Sequence, residues 1–556
     1  MLDHLAETKR THSCGALRQS DQPGGGFEVA GNYNLGKKSG QIQAQLLDLN
    51  QNTLKSFLAA ALGNKQLESI TINSKTTAKL NGPEDMAVKT ELHVANLVVN
   101  DPSGQVPHTP LGVDLSADVA KARQVTEIHN VTLALAKTER APNSLNVSGR
   151  IDMSKSNAWT GNVKIASDGL DVTPYYDLFV GNKPKTTENK SALPPEPQPP
   201  QETRPPSEPA AMNLPFAPFT ADVNIAKLFL REVAISNFVT KAVIDQGRVN
   251  VNPFSLSLNG APVTMTTVAN LAVAGYEYDV IASLDHVPVE PFVNSFVPDK
   301  RGQIKGDLVT GAQIKGAGVT GASMKRNLGG SVLLALTNAD VQVTQNKWAQ
   351  RLLKPLALVL STPELADSPL NWIDARVGIG SGAVTITNAV VRSSLFSAGV
   401  NGTMTLDDVL TNSTINNMPV QIAVVGSVAR RLKVLSTSSA SADVVQLPQF
   451  YAIGGTLGSP DPHIDKLALF KSAVSEVIGR VGGDTGNLLK GVGGALGLSG
   501  TANQTGAATN APATNSGGNL LQGIGNLFQK PAKAADAATN APAPKKKKFN
   551  LNDLLK

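Results

Sequence analysis

The chain is poor in the residues on which most protein chemistry depends. A single cysteine, Cys14, stands among 556 residues, which excludes an intramolecular disulfide and any multi-cysteine metal site. Seven histidines, His4, His12, His93, His108, His129, His286 and His463, occur singly. No spacing sets two of them on one helix turn, so a metal site would require a tertiary coincidence. Nucleophile-elbow, Walker-lysine and HExxH sequences are missing; neither an enzyme nor a cofactor is expected. Aromatic residues make up only 4%, and no apolar run reaches the roughly 18 to 20 residues needed to span a bilayer. The nearest candidate, Leu352 to Leu360, is short, contains Pro355 and lies among Arg351, Lys354 and Glu364, so it reads as a core helix. The opening residues carry neither the apolar core nor the cleavage pattern of a signal peptide. Charge is also sparse: Lys545 to Lys548 supply much of the net +6, and the nearly neutral body excludes a nucleic-acid partner.

What is present is alternation. Apolar residues reach 41%, and between them lie Ser, Thr, Asn, Gln and Gly rather than charge, a mixture suited to strands with one polar face. Phe254, Leu256 and Leu258, then Val332, Leu334 and Leu336, then Val384 and Ile386 follow a two-residue period. Asn81-Gly82, Asn259-Gly260 and Asn401-Gly402 punctuate such runs as hairpin signals. Ten prolines between Lys183 and Pro215 mark a linker or inserted loop, and Gly, Ala, Asn and Thr dominate after about Phe470. The chain thus divides into a polar segment (1–25), an N-terminal β-repeat region (26–182), the proline-rich segment (183–216), a second β region (217–468) and a low-complexity tail (469–556).

A unit also recurs. IASDGLDVTPYYDLF, from Ile165 to Phe179, lines up with IASLDHVPVEPFVNSF, from Ile281 to Phe296, and more weakly with QLLDLNQNTLKSF, from Gln45 to Phe57. In each, a strand ends in an Asp-containing turn and enters a short helical segment finishing in Phe. The strands before each copy are alike as well, which points to an array of β-units, although any two β-meanders share some of this likeness. Length points the same way, because 556 residues exceed what one ordinary core supports. The expected fold is mostly β: extended, curved antiparallel sheet repeats forming a groove, with short helices and a disordered tail.

From Phe219 to about Leu467 several elements follow in a telling order. FTADVNIAKLFLREVAISNF precedes VIDQGRVNVNPFSLSLNGAPVTM. Next comes RGQIKGDLVTGAQIKGAGVTGASMKRNLGGSVLLALTNADVQV, with Gly306, Gly316, Gly318, Leu328, Gly329, Gly330 and Asn338 at characteristic places, and YAIGGTLGSPDPHID closes the series. This order resembles the C-terminal region of the AsmA family of bacterial envelope proteins, and the repeated unit extends the likeness loosely over Gly26 to Phe179. The resemblance implies a bridge-like lipid-transfer architecture that supports outer-membrane biogenesis. It also implies a periplasmic body held in the inner membrane by a helix that this sequence lacks.

The chemistry expected is therefore apolar. One-sided strands of this length would line a trough, with Val249, Val251, Phe254, Leu256, Leu258, Val332, Leu334, Leu336, Val384 and Ile386 as candidates for contact with phospholipid acyl chains. In the tail, Leu488, Leu489, Val492 and Leu496 would share one helical face, as would Leu520, Leu521, Ile524 and Phe528. They are candidates for touching a membrane surface or a partner protein, against the alternative of a flexible, lysine-solubilised tail. Asp168, Asp171 and Asp285 read as turn and cap residues and His286 as a turn filler. The glycines of GQIKGDLVTGAQIKGAG follow an alternating β pattern rather than a dinucleotide fingerprint. A competing expectation is a scaffold aiding outer-membrane protein insertion by strand addition, its apolar faces packed together and lipid-free.

Overall fold

Val, Ile, Leu and Ala alternate with Thr, Ser, Asn and Lys through most of the chain, and that period sends successive side chains to opposite sides of an extended backbone. Among the described residues of the computed structural model strands account for 62% and helices for 16%, which bears out a mostly β chain with short helices. The structure describes residues 8–19, 22–63, 65–102, 108–179, 207–342, 344, 347–431, 443–465 and 468. The low-complexity tail and its two leucine-rich segments lie outside these residues.

The first part contains β1 (Thr8–Gln19), β2 (Gln22–Asn34), β3 (Ser39–Asn50), α1 (Gln51–Leu62), β4 (Gln66–Asn81), β5 (Asp85–Asn100), β6 (Leu111–Ala122), β7 (Val125–Leu135), β8 (Ser144–Asp152), β9 (Trp159–Asp171) and α2 (Thr173–Phe179). The second continues with β10 (Phe216–Leu230), β11 (Val233–Asp245), β12 (Arg248–Leu258), β13 (Ala261–Asn270), β14 (Glu277–Pro288), α3 (Glu290–Phe296), β15 (Ile304–Ala317), α4 (Gly321–Asn327), β16 (Gly329–Val341) and α5 (Lys347–Val359). It closes with α6 (Glu364–Asp367), β17 (Leu370–Gly380), β18 (Ala383–Ser393), β19 (Phe396–Thr405), β20 (Thr414–Ile415), β21 (Met418–Val425), α7 (Gly426–Arg431), β22 (Val444–Gln446), β23 (Tyr451–Thr456) and β24 (Ser459–Ile464).

All these strands belong to one 24-stranded sheet. From β1 to β19 each strand pairs with the next in sequence, antiparallel at every step but one, through turns or short helices. After β19 the chain folds back: β20 and β21 both pair with β19, and β23 joins them to β24. One pairing corrects the expectation of a wholly antiparallel sheet. β9 and β10 run parallel, with Ile165 opposite Val223 and Trp159 opposite Phe216. Parallel neighbours need a crossover, which falls between the end of α2 and the start of β10. The β regions on either side of it share one sheet. The polar segment is likewise part of it, since β1 lies there and pairs with β2.

The recurring unit takes the expected form as β3–α1, β9–α2 and β14–α3, and β16 likewise leads into a helix, α5, which carries Pro355 and belongs to the packed core as the sequence suggests. All four helices follow strands running in the same sense, so they stand at one end of the sheet, called here the helix end. Tight turns occur at both ends; the other end, which bears none of these four helices, is called here the hairpin end, and α4 lies there. Bulges recur just before the helix end, at Asp48, Asn96, Asn237, His286 and Asn338, each with φ between 48° and 55°. Asn, Asp and His tolerate this left-handed conformation better than β-branched residues do. Asn259-Gly260 turns β12 into β13 as expected. Asn401-Gly402 does not turn; both residues lie inside β19, and a Cβ on Gly402 would come within 2.7 Å of Met418. Glycine there permits close approach, which in sequence looks the same as a turn.

Beyond the crossover, the chain runs along the hairpin end before entering β10. The Met212 amide donates to Leu271 (2.8 Å), the Gly275 amide to Pro209 (2.9 Å) and the Val319 amide to the Glu208 carboxylate (2.8 Å). The Ser323 and Thr320 hydroxyls and the Val319 amide hold the Glu208 carboxyl down to about 2, from its ordinary 4.5. A depressed carboxyl stabilises the fold fully above its ordinary value and loses that contribution as pH falls through the folded one.

Two predictions follow from this architecture. Gly330, at φ 147°, would set a Cβ 2.0 Å from the Gln313 carbonyl, whereas a Cβ on Gly311 meets nothing within 4 Å. Gly330→Ala is expected to destabilise the protein by about 2 kcal/mol and Gly311→Ala by far less, read from thermal melting midpoints. Hydrogen exchange at the Val319 and Thr320 amides is expected to show protection factors that hold at pH 7 and 5 and fall between about pH 4.5 and 2. Glu208→Ala should abolish that pH dependence.

Candidate functional site

Residues opposite one another in neighbouring strands project from the same face, so the registers can be followed from strand to strand. One row passes through Val29, Ala44, Thr76, Thr90, Ala117, Val131, Val147, Ile165, Val223, Thr240, Phe254, Met265, Ala282, Ala312, Val332, Val377 and Ile386. It crosses from β2 to β18 without a charged residue. A second row on the same face runs beside it, nearer the hairpin end: Ile42, Ala78, Val88, Val119, Ile128, Gly149, Val163, Ala221, Ala242, Val251, Thr267, Val280, Ile314, Gly330, Ile379 and Val384. The opposite face differs. A row there reads Lys75, Glu91, Ser116, Thr132, Asn146, and farther along Ser255, Thr264 and Ser283.

All ten residues singled out from the sequence project from the apolar face. Phe254, Val332 and Ile386 share the first row, Val251 and Val384 the second. Leu256 connects to Leu334 through Val263, Leu284 and Thr310, one level closer to the helix end. Leu258 and Leu336 stand closer still, and Val249 sits on the hairpin side of Val251. Nine of the ten are part-buried and Leu336 is buried. Sequence reading did not extend the set into β2–β11. The same alternation is present there, but Thr76, Thr90, Ala117 and Thr240 break the large apolar runs that draw attention.

The face is covered unevenly. At the helix end, Leu54 and Leu58 of α1, with Tyr175 and Leu178 of α2, pack with Leu67, Ile70, Ile72, Val94, Leu97 and Leu111. Phe292 of α3 packs with Leu256, Leu258, Val263, Leu284, Val287 and Leu308. The two long rows belong to none of the packed clusters as far as β18. Past β18 the situation reverses: α5, α6 and α7 close over the last strands, and Phe396, Val420, Ile422, Val424, Leu356 and Leu360 form a sealed core. There the buried Tyr451 hydroxyl donates to the Leu352 carbonyl at 2.8 Å, and burial pushes its phenol up. Phe238 and Phe254 meet edge to face at 5.3 Å on the open stretch, and Trp159, Phe216 and Phe219 cluster where β9 meets β10.

Polar groups do not converge on the band. Asp171 is buried, which raises its carboxyl, but the Thr173 hydroxyl and the Arg140 guanidinium outweigh burial and hold it below the ordinary range. Its bonds to Arg140 Nε (3.0 Å) and the Thr173 amide (3.2 Å) make it a cap at the end of β9. Asp168 is exposed, and Asp285 bonds the neighbouring His286 at 2.6 Å, both exposed in the bulge of β14. Among the described residues no three His, Cys, Asp or Glu side chains gather as a metal site, and no helix is long and apolar enough to cross a membrane. The positions from Leu488 to Phe528 lie outside the described residues. Comparison of this chain with protein-family models, with curated proteins and with solved structures returns no match.

Proposed function

We propose that this chain is a non-enzymatic lipid carrier of the cell envelope, which holds phospholipid acyl chains on the apolar band and passes them along it. The observation that carries this reading is the pair of uncovered rows from β2 to β18. With strands about 4.8 Å apart, they extend for about 75 Å. Moving a lipid through water exposes its chains at about 0.8 kcal/mol per CH2 group, so a chain of about sixteen carbons faces a barrier on the order of 12 kcal/mol. A continuous apolar surface removes most of it. The opposite face, with Ser, Thr, Asn and Lys, stays hydrated.

The order of elements that resembles the AsmA family supports the same reading and supplies its setting, the periplasm between inner and outer membranes, with outer-membrane biogenesis as the purpose. Under this proposal the partners are phospholipid and membrane surfaces, with no nucleic acid. The scaffold reading requires the apolar faces to be packed against each other, and only the strands past β18 meet that description.

Native mass spectrometry of the full chain, purified from a membrane-containing lysate, is expected to reveal several phospholipids per molecule. Ala282→Lys, which places an ammonium in the open row, should lower lipid occupancy by roughly tenfold, equivalent to about 1.4 kcal/mol per site. Thr264→Lys, on the opposite face, should leave it unchanged. A lipid-free wild-type protein, or equal effects of the two substitutions, would sink the proposal.

A further inference from the structure

The apolar band is asymmetric across its width, and that asymmetry orients whatever it holds. Two levels, those of Val251 and Phe254, lie between the helix row and the level of Val249, and side chains on one face of a strand repeat every ~6.8 Å, so the open width is about 14 Å. A single leaflet of bilayer hydrocarbon is about 15 Å thick, the depth to which an acyl chain fills it. The open width therefore accommodates one acyl chain laid parallel to the strands.

The two margins of the band differ. At the helix end the apolar surface continues beneath α1, α2 and α3, where Leu54, Leu58 and Phe292 pack on it. A headgroup placed there would meet packed apolar side chains, and the nearby Arg140 and Arg231 are already paired with Asp171 and Asp177. At the hairpin end the next level of the same face, that of Val249, carries Tyr33, Lys121 and Tyr278 among Met86, Ile151 and Ile244, with Trp159 beyond it. Tyr33, Lys121 and Tyr278 share one level, joined through the register, and Trp159 stands one level farther out. Lys121 is exposed, and the three aromatic residues are only partly buried. Tyr and Trp join an apolar ring to a polar tip, the combination that settles where hydrocarbon meets water. In a chain with 4% aromatic residues, their placement on this margin makes it an interface between oil and water.

Resting on the lipid reading above, we infer that phospholipids lie crosswise on the band. Their acyl chains run along the strands with the methyl ends toward the helix row, and their headgroups stand over the hairpin margin at Tyr33, Lys121, Trp159 and Tyr278. Successive lipids then occupy successive strands side by side, and movement along the band requires no headgroup to cross apolar surface.

Photocrosslinking of the full chain tests this arrangement. The protein is incubated with vesicles of phosphatidylethanolamine and phosphatidylglycerol that contain one of two photoreactive phosphatidylethanolamines, with a diazirine either on the headgroup or at the end of an acyl chain. Labelled peptides are then mapped by mass spectrometry. The headgroup probe is expected to label peptides bearing Tyr33, Lys121, Trp159 and Tyr278 several-fold over those of α1, α2 and α3, and the chain-end probe to show the opposite preference. Labelling of the band with equal or inverted preferences overturns the crosswise orientation while leaving lipid carriage intact. Absence of labelling by both probes overturns carriage and orientation together.

Discussion

A hydrogen-bonded sheet satisfies its backbone without reference to what lies on its faces, and that separation governs this protein. Each strand from β1 to β19 finds its partner in the next, so the sheet grows by one strand per turn without a second layer to pack against. An antiparallel sheet commonly hydrates one face and buries the other. Here the face that ought to be buried lacks a covering layer over most of the sheet. A band about 75 Å by 14 Å covers on the order of 1,000 Å², whereas monomeric proteins rarely expose contiguous apolar patches above a few hundred. The proposed lipid carriage rests on the extent of this surface rather than on any catalytic group.

The bulges and helices show how the chain manages part of that face by itself. Asp48, His286 and Asn338 take left-handed backbone conformations close to the ends of β3, β14 and β16, and a helix follows each. An unpaired residue bends a strand and strengthens its twist, which re-aims the chain as it leaves the sheet. The helices then fold back on the apolar side, so leucines and aromatics at α1, α2 and α3 shield only the margin they reach. Short helices protect less width than a second sheet would, and the middle of the face stays open.

Much of this was legible in the sequence because it is local. The alternation at Phe254, Leu256 and Leu258 gave a strand and its inward face, and Asn259-Gly260 gave the turn that follows. The repeated Asp-to-Phe unit gave the strand-to-helix transitions. What stayed hidden was relational. Parallel pairing of β9 with β10 depends on where a crossover delivers the chain, and ten prolines reveal a break without revealing its destination. Gly402 resembled a turn because glycine serves tight turns and close approaches alike. The rows through β4 to β6 were overlooked because their positions are held by Thr76, Thr90 and Ala117. These become part of an apolar band only when registers place them in line with Val131 and Phe254.

The closed end of the sheet explains why openness elsewhere is not simply the lot of a strand in a single layer. The row of Leu256 and Leu334 continues through Ala375, Ala389 and Val400 to Val420 and Tyr451, so one face acquires two environments along a single line of neighbours. Where α5 and α7 arrive, side chains such as Val424 and Val428 lose all contact with solvent. There α5, with 13 residues against 7 in α2 and in α3, joins α6 and α7 in sealing the face. Along β2 to β18 the helices instead stop at its margin. Burial of a valine or leucine is worth about 1.5–3 kcal/mol relative to exposure, so leaving two rows uncovered forgoes considerable stability. That loss is intelligible if, as proposed, the band spends its working life covered by a lipid that must leave again.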